Sequence, residues 1–297
     1  MADQFASDDP SARYPEIHPP EQTQDEPGIQ SEMRPVPDLG ERTYRGRGRL
    51  EGRKALITGG DSGIGGAVAI AFAREGADVA INYLPEEDSD ARRIIELIEA
   101  EGRVALPIPG DLTDAAFCRE LVQTAVDGLG GLDILVNNAG KQVVQQELED
   151  ISDEQFERTF RTNVFANFWI TKAALPYLNP GSAIVNTASL EAYQPAPERV
   201  DYAATKAAIN NFSKGLAQML ASKGVRVNVV APGAVWTPLQ VSHGVSMEQL
   251  THYGEETGYG RAGQPAELAP AYVFLASAEA SFVSGTTLSA TGGMPTP

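Results

Sequence analysis

The sequence predicts an α/β protein built on a doubly wound, Rossmann-like parallel sheet. From residue 54 onward, short apolar segments alternate with longer helical segments. The apolar segments are almost continuously hydrophobic, which is typical of strands covered on both faces of a sheet. A glycine-rich loop at 59–66 joins the first strand to the first helix, where such folds bind phosphate groups. We therefore expect a single domain over residues 50–297, preceded by a proline-rich extension or arm over residues 1–49.

The predicted strands and helices alternate along the chain. Strands are expected at residues 54–58, 78–82, 104–109, 132–136, 183–188, 225–230 and 287–290. Helices are expected at residues 67–75, 89–101, 113–129, 152–178, 202–223 and 265–277. Gly76, Gly102 and Gly224 follow three of these helices, as C-terminal caps do. Ser152 and Gln155 form a capping-box pattern at the start of the longest one.

Composition excludes several classes of function. The 297-residue chain has 40 acidic and 23 basic residues, a formal charge of −17, which disfavours nucleic acid and anionic membranes as partners. A single cysteine, Cys118, excludes an intrachain disulfide and favours a reducing compartment. The three histidines lack a metal-binding spacing, so no metal is expected. No signal-peptide pattern and no bilayer-length apolar run is present, so we expect a cytoplasmic protein.

Residues 1–49 differ in kind from the rest of the chain. Seven prolines fall between Pro10 and Pro37, and such a segment cannot form a core of its own. Two alternatives remain, a disordered tail or an extended arm on this or a neighbouring subunit. Spaced apolar residues favour the arm: Ile17, Ile29, Met33, Val36, Leu39 and Tyr44. We expect the arginine-rich stretch 42–49 to be a hinge that pairs with carboxylates.

The loop Thr58–Gly65, TGGDSGIG, predicts a dinucleotide site. Its glycines allow a tight turn and let backbone N–H groups approach a pyrophosphate. About twenty residues on, such sites usually have an acid for the adenosine ribose, but here the position is Asn82. Asn82 can bond a 2′-hydroxyl and does not repel a 2′-phosphate. No basic residue stands at Ser62 or Tyr83, so the choice between NAD and NADP is left open.

A second pattern indicates proton transfer. Tyr202 and Lys206 lie four residues apart on a predicted helix, so their side chains share one face. A nearby ammonium group favours the phenolate form of tyrosine. Ser189 precedes this helix at the end of an apolar strand, where catalytic groups usually lie. These residues suggest proton exchange with an alcohol or carbonyl oxygen.

Taken in order, the motifs resemble those of the single-domain short-chain dehydrogenases/reductases. They are TGGDSGIG at 58–65, NNAG at 137–140, Asn163, Ser189, the Tyr202/Lys206 pair and Pro232-Gly233. The resemblance covers about residues 50–297. The proline-rich extension followed by GGDSGIG also resembles a subgroup described as general-stress or glucose/aldehyde-dehydrogenase-like oxidoreductases.

The resemblance implies roles for individual residues. Tyr202 would be the general acid/base, Lys206 would lower its pKa and bind the nicotinamide ribose, and Ser189 would hydrogen-bond the substrate oxygen. Asn163 would hold a water molecule that links Lys206 to solvent. The implied cofactor contacts are Gly59, Asp61, Ser62, Gly63, Ile64, Gly65, Asn82, Tyr83, Leu84, Asp111, Leu112, Asn138, Ala139, Gly140, Tyr202, Lys206, Pro232, Gly233, Val235 and Thr237. The implied substrate contacts are Ser189, Glu191, Tyr193 and Tyr202, with Gln194 beside them and His243, His252 and Tyr253 as candidates in a lid at 238–263.

The expected function is an NAD(P)-dependent oxidoreductase that moves hydride between nicotinamide C4 and a sugar, polyol, aldehyde or ketone. A 3-oxoacyl thioester reductase is an alternative substrate class, and a non-catalytic dinucleotide-binding sensor or scaffold is an alternative function. An epimerase or dehydratase is disfavoured because too few residues follow Pro232 for a second substrate domain. The resemblance also implies a homotetramer that buries Phe165, Phe168 and Trp169.

Overall fold

The computed structural model describes residues 4–296; residues 1–3 and 297, at the ends of the two expected segments, lie outside the described residues. The strands are β1 (Lys54–Thr58), β2 (Asp78–Tyr83), β3 (Ala105–Pro109), β4 (Ile134–Asn137), β5 (Ala183–Thr187), β6 (Arg226–Pro232) and β7 (Thr287–Ala290). The helices are α1 (Gly63–Arg74), α2 (Asp88–Ala100), α3 (Ala115–Leu129), α4 (Asp153–Phe160), α5 (Ala166–Ala174), α6 (Val200–Leu220), α7 (Met247–Thr251) and α8 (Pro265–Ala276).

The seven strands form one parallel sheet in the order β3-β2-β1-β4-β5-β6-β7. The chain adds β2 and β3 on one side of β1 and then reverses, adding β4 to β7 on the other side. This reversal leaves a crevice at the carboxyl ends of β1 and β4, where open α/β sheets bind ligands. The predicted fold class is confirmed.

Helices cover both faces of the sheet because the strands are apolar on both faces. On one face, Ile57 of β1 packs in a core with residues of α1, α2 and α8. On the other, its neighbour Leu56 packs with residues of α3, α5 and α6. Successive strand side chains point to opposite faces, which explains why each strand reads as a continuous apolar run. None of the helices among residues 4–296 is long and apolar enough to span a membrane.

Three elements differ from the sequence-based expectation. Helix α1 begins at Gly63 and not at residue 67, because close packing of the glycine loop overrides the low helix propensity of glycine. The long helix expected at 152–178 contains a π-helical segment, Arg161–Phe165, between α4 and α5. Helix α7, capped by Ser246, lies in the expected lid, where no periodicity indicated a helix.

Residues 4–49 lie as an arm against the same chain. Ile17 and Met33 share a third apolar cluster with Trp236, whose indole N–H donates to the Pro35 carbonyl over 2.7 Å. Leu39 and Tyr44 are also buried, whereas Ile29 is half-buried. Val36 is exposed, so its expected role as an anchor is wrong.

The arginine-rich stretch pairs with a carboxylate at the end of α1, as expected. Arg49 contacts Glu75 at 2.7 Å, and the Tyr44 hydroxyl donates to the same carboxylate over 2.7 Å. Burial by itself would raise the pKa of Glu75. The hydrogen bonds from Arg49, Tyr44 and the Arg47 backbone outweigh burial and hold that pKa at about 2. This ion pair ties the end of the arm to the folded body.

Candidate active site

A cleft runs along the carboxyl edge of the sheet, across the ends of β1, β2, β4, β5 and β6. Nearly all of the expected cofactor and catalytic residues line it. Gly65 and Asn163 do not line it, and neither do the expected or candidate substrate contacts Glu191, Tyr193, Gln194, His243, His252 and Tyr253. The cleft is also lined by residues that sequence reasoning missed: Glu26, Pro27, Gly28, Glu87, Arg158, Thr162, Leu239, Gln240 and Ser242.

The glycine loop between β1 and α1 is shaped by close backbone contacts. Gly65 faces Gly59 so closely that a Cβ atom on Gly65 would lie 1.8 Å from the Gly59 carbonyl oxygen. Gly59 has a φ of +61°, in the left-handed region that glycine adopts without strain. The loop therefore requires glycine at both positions, and it brings backbone N–H groups at the start of α1 to the cleft.

Asn138 braces this loop from the end of β4. Its backbone N–H donates to the Thr58 hydroxyl over 3.0 Å, and its side-chain amide donates to the Thr58 and Gly59 carbonyls over 3.2 Å. Asn138 thus lines the cleft and also supports the shape of its glycine loop.

Asn82 has a structural task that the sequence did not reveal. Its side-chain nitrogen donates to the carbonyls of Ile108 and Gly110, both at 3.1 Å. These bonds hold the loop after β3, next to Asp111 and Leu112, against the end of β2. The amide nitrogen of Asn82 is therefore already occupied.

Two carboxylates lie where the adenosine end of a dinucleotide is expected. Asp61 is 2% exposed, and its Oδ2 atom has no hydrogen-bond partner among the described residues. Burial raises the pKa of Asp61 to about 6. Burial and the nearby Asp61 raise the pKa of Glu87 to about 8. At neutral pH the pair therefore carries about one negative charge.

The expected catalytic residues converge at the other end of the cleft. Ser189 follows β5, and Tyr202 and Lys206 lie on the first turns of α6; all three side chains are buried. The Lys206 Nζ atom donates to the Thr187 carbonyl over 3.1 Å and lies 5.3 Å from the centre of the Tyr202 ring. The Ser189 hydroxyl accepts a hydrogen bond from the Glu191 backbone N–H at 3.1 Å.

The local electrostatics of Tyr202 differ from a simple tyrosine–lysine pair. Burial, followed by the charge of Glu191, raises the pKa of Tyr202, while Ser189 and Arg199 act in the opposite direction. Burial lowers the pKa of Lys206 to about 8, against the effect of Glu191. A tyrosine pKa lowered by Lys206 therefore stays a prediction, since burial dominates in this structure.

Asn163 lies in the π-helical segment, just behind the wall of the cleft. Its Oδ1 atom accepts the Lys141 backbone N–H at 2.7 Å, and its Nδ2 atom donates to the Lys141 carbonyl and the Thr205 hydroxyl, both at 2.9 Å. The extra residue of a π-helical turn re-aims side chains, and such turns are frequent at functional sites. Asn163 thereby clamps the loop that passes beside Lys206.

The structure places only some of the expected substrate residues in the cleft. Ser189 and Tyr202 line the cleft, whereas Glu191 forms a half-buried ion pair with Arg199 at 2.7 Å, beside Tyr202. Tyr193 is half-buried, and Gln194 is exposed. In the lid, His243 and His252 are exposed. Tyr253 packs on Trp236 and donates to the Val235 carbonyl over 3.3 Å; its side chain does not line the cleft.

The N-terminal arm also reaches the cleft. Glu26, Pro27 and Gly28 line it, and Glu26 forms an ion pair with Lys141. The Gln30 side chain accepts the backbone N–H of Gly63 at 2.8 Å. No sequence pattern linked this arm to the glycine loop, because the contact joins segments far apart in the chain.

The cleft fits a nicotinamide dinucleotide. At the start of α1 only glycine allows the close backbone approach, and Asp61, with an unpartnered carboxylate oxygen, lines the cleft there. A buried tyrosine, lysine and serine lie at the other end. No three histidine, cysteine or acidic side chains among residues 4–296 are arranged to hold a metal ion. The fold and cleft define a dinucleotide-dependent oxidoreductase.

Comparison with known proteins gives the family. A family described as enoyl-(acyl carrier protein) reductase matches residues 59–295. The oxidoreductase YhxD of Bacillus subtilis is 57% identical over 93% of this chain and 94% of its own length. Glucose and ribitol dehydrogenase of Daucus carota is 43% identical over 93% of this chain and 96% of its own length.

Solved structures agree. A short-chain dehydrogenase from Burkholderia cenocepacia in complex with NADP has a TM-score of 0.75 at 35% identity, over 82% of this chain and 98% of that one. A metagenomic blue fluorescent protein in complex with NADPH has a TM-score of 0.77 at 33% identity, with the same coverage. The chain belongs to the short-chain dehydrogenase/reductase family, and its expected NAD(P)-linked enzyme class is confirmed.

Proposed function

We propose that this oxidoreductase interconverts an alcohol and a carbonyl compound, with Tyr202 as the general acid/base. The observation that most supports this proposal is that Tyr202, Lys206 and Ser189 are buried together, at the same carboxyl edge of the sheet as the glycine loop. A nicotinamide cofactor, when bound, accepts or supplies the hydride at its C4 atom. The protein then has to position the substrate oxygen and move one proton.

Each of the three side chains has a polar group available for this step. Because the Ser189 hydroxyl accepts from the Glu191 backbone, its own hydrogen remains available to the substrate oxygen. One Lys206 N–H donates to the Thr187 carbonyl, which leaves two for ribose hydroxyls. Ser189 lies close enough to the Tyr202 hydroxyl to lower its pKa, so both hydroxyls can contact the same substrate oxygen. Tyr202 can therefore give its proton to a carbonyl oxygen or take one from an alcohol.

Polar groups in the wall of the cleft favour a sugar or polyol over an apolar aldehyde or ketone. Gln240 and Ser242 of the lid line the cleft, and the Gln240 Oε1 atom is buried without a hydrogen-bond partner among residues 4–296. A buried acceptor of this kind selects a ligand that carries a hydroxyl group. The Daucus carota relative, whose name specifies glucose and ribitol, supports the same class. A 3-oxoacyl thioester is the second candidate, since the family description names acyl carrier protein.

Turnover of a substrate panel by the Tyr202→Phe variant tests the proposal. The panel contains glucose, ribitol, short aldehydes and a 3-oxoacyl thioester, each with NAD(H) and NADP(H). We expect kcat to fall by about 100- to 10,000-fold, with cofactor affinity changed by less than about threefold. Tyr193→Phe, outside the cleft, should retain activity. Turnover by Tyr202→Phe would contradict the acid/base role, and cofactor binding without turnover by the unaltered chain would favour the sensor or scaffold alternative.

We also propose that the chain assembles as a homotetramer through α4, α5 and α6. Phe165 and Phe168 are 42% and 46% exposed, so an aromatic surface on these helices lacks a covering in the isolated chain. Light scattering on the full chain and on the Phe168→Lys variant measures the oligomeric state. A tetramer that dissociates in the variant supports the proposal, and a monomeric unaltered chain contradicts it.

The division into a 1–49 arm and a 50–297 catalytic domain is likewise proposed.

A further inference from the structure

We propose that Asp61 and Glu87 select the cofactor without a 2′-phosphate, so that the chain uses NAD(H) in preference to NADP(H). This inference rests on the proposed dinucleotide-dependent function and specifies its cofactor. Asn82, at the end of β2, is compatible with either cofactor. The two carboxylates decide it by the charge that they place beside the adenosine ribose.

The two residues lie on adjoining turns. Asp61 is in the glycine loop after β1, and Glu87 is in the short turn after β2. The Gly60 backbone N–H donates to the Asn82 carbonyl over 3.0 Å, which brings these turns together. Both carboxylates line the cleft with Tyr83 and Leu84, at the end of β2. Ligands of an open α/β sheet present their ribose at this edge.

Asp61 is the stronger indicator of a ligand. Its side chain is 2% exposed, and the Oδ2 atom has no donor among the described residues. A buried carboxylate oxygen without a hydrogen bond is costly. A ribose hydroxyl supplies the missing donor, whereas a phosphate supplies only further acceptors and negative charge. The site is therefore complementary to a free 2′,3′-diol.

The surrounding charge strengthens this selectivity. Asp90 lies near Asp61 and Glu87, but its two oxygens accept the backbone N–H groups of Gln30 and Ser31 at 2.5 and 3.2 Å. Glu87 likewise accepts the Leu84 backbone N–H at 2.9 Å, whereas the Asp61 Oδ2 atom accepts no hydrogen bond from the described residues; both side chains line the cleft.

No lysine or arginine occurs in the glycine loop 59–66 or in residues 82–87. The basic residues that line the cleft are Lys141, Arg158 and Lys206, which belong to other elements. A 2′-phosphate would therefore meet like charge without a compensating cation, and like charges in contact reject the wrong ligand.

The fold itself does not make this choice. The Burkholderia cenocepacia and metagenomic structures hold NADP and NADPH on a similar sheet. A change of cofactor within one fold depends on a few side chains near the ribose. In this chain, the carboxylates of those turns set the preference.

Direct binding separates the inference from the proposed function. Titration of the full chain with NADH and with NADPH, followed by nicotinamide fluorescence, measures both dissociation constants without turnover. We expect NADH to bind at least about tenfold more tightly, a difference of about 1.4 kcal/mol. Equal affinities, or tighter NADPH, would overturn the inference and leave the proposed function intact. Failure of both cofactors to bind would overturn the proposed function, and with it this inference.

Isosteric variants assign the preference to the two residues. The Asp61→Asn/Glu87→Gln double variant removes the charge of the pair and should tighten NADPH by about tenfold, whereas Glu87→Gln alone leaves the Asp61 charge in place and should change the NADPH constant little. Glu96→Gln removes one negative charge from an exposed side chain of α2, outside the cleft, and should change neither constant. Titration with 2′,5′-ADP against ADP repeats the comparison without nicotinamide. An unchanged NADH/NADPH ratio in the double variant would contradict the assignment; if that variant fails to fold, the comparison of 2′,5′-ADP with ADP on the unaltered chain still tests the preference.

Discussion

The Oε1 atom of Gln30 accepts a hydrogen bond from the backbone N–H of Gly63, at 2.8 Å. This bond joins the N-terminal arm to the first residue of α1, within the loop that supports the cofactor cleft. Gln30 is 3% exposed, and its neighbour Gly28 packs against Pro238 at the start of the lid. The arm is therefore part of the cleft wall and is packed between the glycine loop and the lid.

The arm should contribute measurably to stability. Met33 is 1% exposed and packs with Trp236, so Met33→Ala leaves a cavity and should lower the free energy of unfolding by about 2–5 kcal/mol. Val36, three residues along the same arm, is 47% exposed, and Val36→Ala should change it by less than about 0.5 kcal/mol. Urea unfolding of both variants makes the comparison. Equal, small effects would show that the arm is not packed as described.

Acid should weaken the link between the arm and α1 through Glu75. Its folded-state pKa of about 2 lies below the ordinary value of 4.5, so the contribution is complete above pH 4.5. It is lost as the pH falls from about 4.5 to about 2, where the carboxylate becomes protonated in the folded state as well. The difference corresponds to about 3 kcal/mol.

Glu75→Gln should accordingly lower stability at neutral pH and flatten its dependence on pH below 4.5. Glu101→Gln is the matched control, because its ion pair with Arg74 is more exposed and should contribute at most about 1 kcal/mol. The measurement is the free energy of unfolding in urea between pH 2 and pH 7. Parallel curves for Glu75→Gln and the unaltered chain would refute the assignment.

Glu191 should set the pH range of catalysis without contacting the substrate. Its charge raises the pKa of both Tyr202 and Lys206, whereas the neighbouring Arg199 lowers that of Tyr202. Glu191→Gln removes the negative charge and leaves Arg199 uncompensated. Both pKa values should therefore fall, and the profile of kcat/KM against pH should move as a whole to lower pH.

The shift should be specific to Glu191. Glu198 is close to the same arginine, at 3.6 Å, but is not among the groups that shift the pKa of Tyr202. Glu198→Gln should leave the profile in place. The measurement is alcohol oxidation at saturating cofactor across the pH range. A profile of Glu191→Gln that stays in place, or that moves to higher pH, would exclude this electrostatic role.

Asn163 should stabilise the loop beside Lys206. Asn163→Ala removes three hydrogen bonds and leaves the Lys141 backbone groups unpartnered, so unfolding should become easier by about 1–3 kcal/mol. Activity should fall as well, because the loop passes next to Lys206. Asn179→Ala, at an exposed turn, serves as control. Thermal unfolding and kcat are compared; an effect on neither quantity would show that the clamp is dispensable.

The sequence by itself determined the sheet, the order of its elements and the expected site residues at strand ends. Strands β1 and β7 begin and end at the predicted residues, since apolar runs and turn residues are local signals. The motif residues are likewise read locally, and a parallel sheet brings its carboxyl ends to one edge. Residues as distant as Gly59 and Lys206 could therefore be assigned to one cleft before any contact was known.

Only the tertiary structure decided which polar atoms are free. Asn82, expected to face the ribose, donates its amide nitrogen to the loop after β3, whereas Asp61 keeps an oxygen without a partner. The arm reaches the cleft through Gln30, and a π-helical turn places Asn163 behind Lys206. These outcomes depend on hydrogen bonds and packing between segments far apart in the chain. Local patterns carry no information on such pairings, because each buried polar group takes the partner that the assembled fold presents to it.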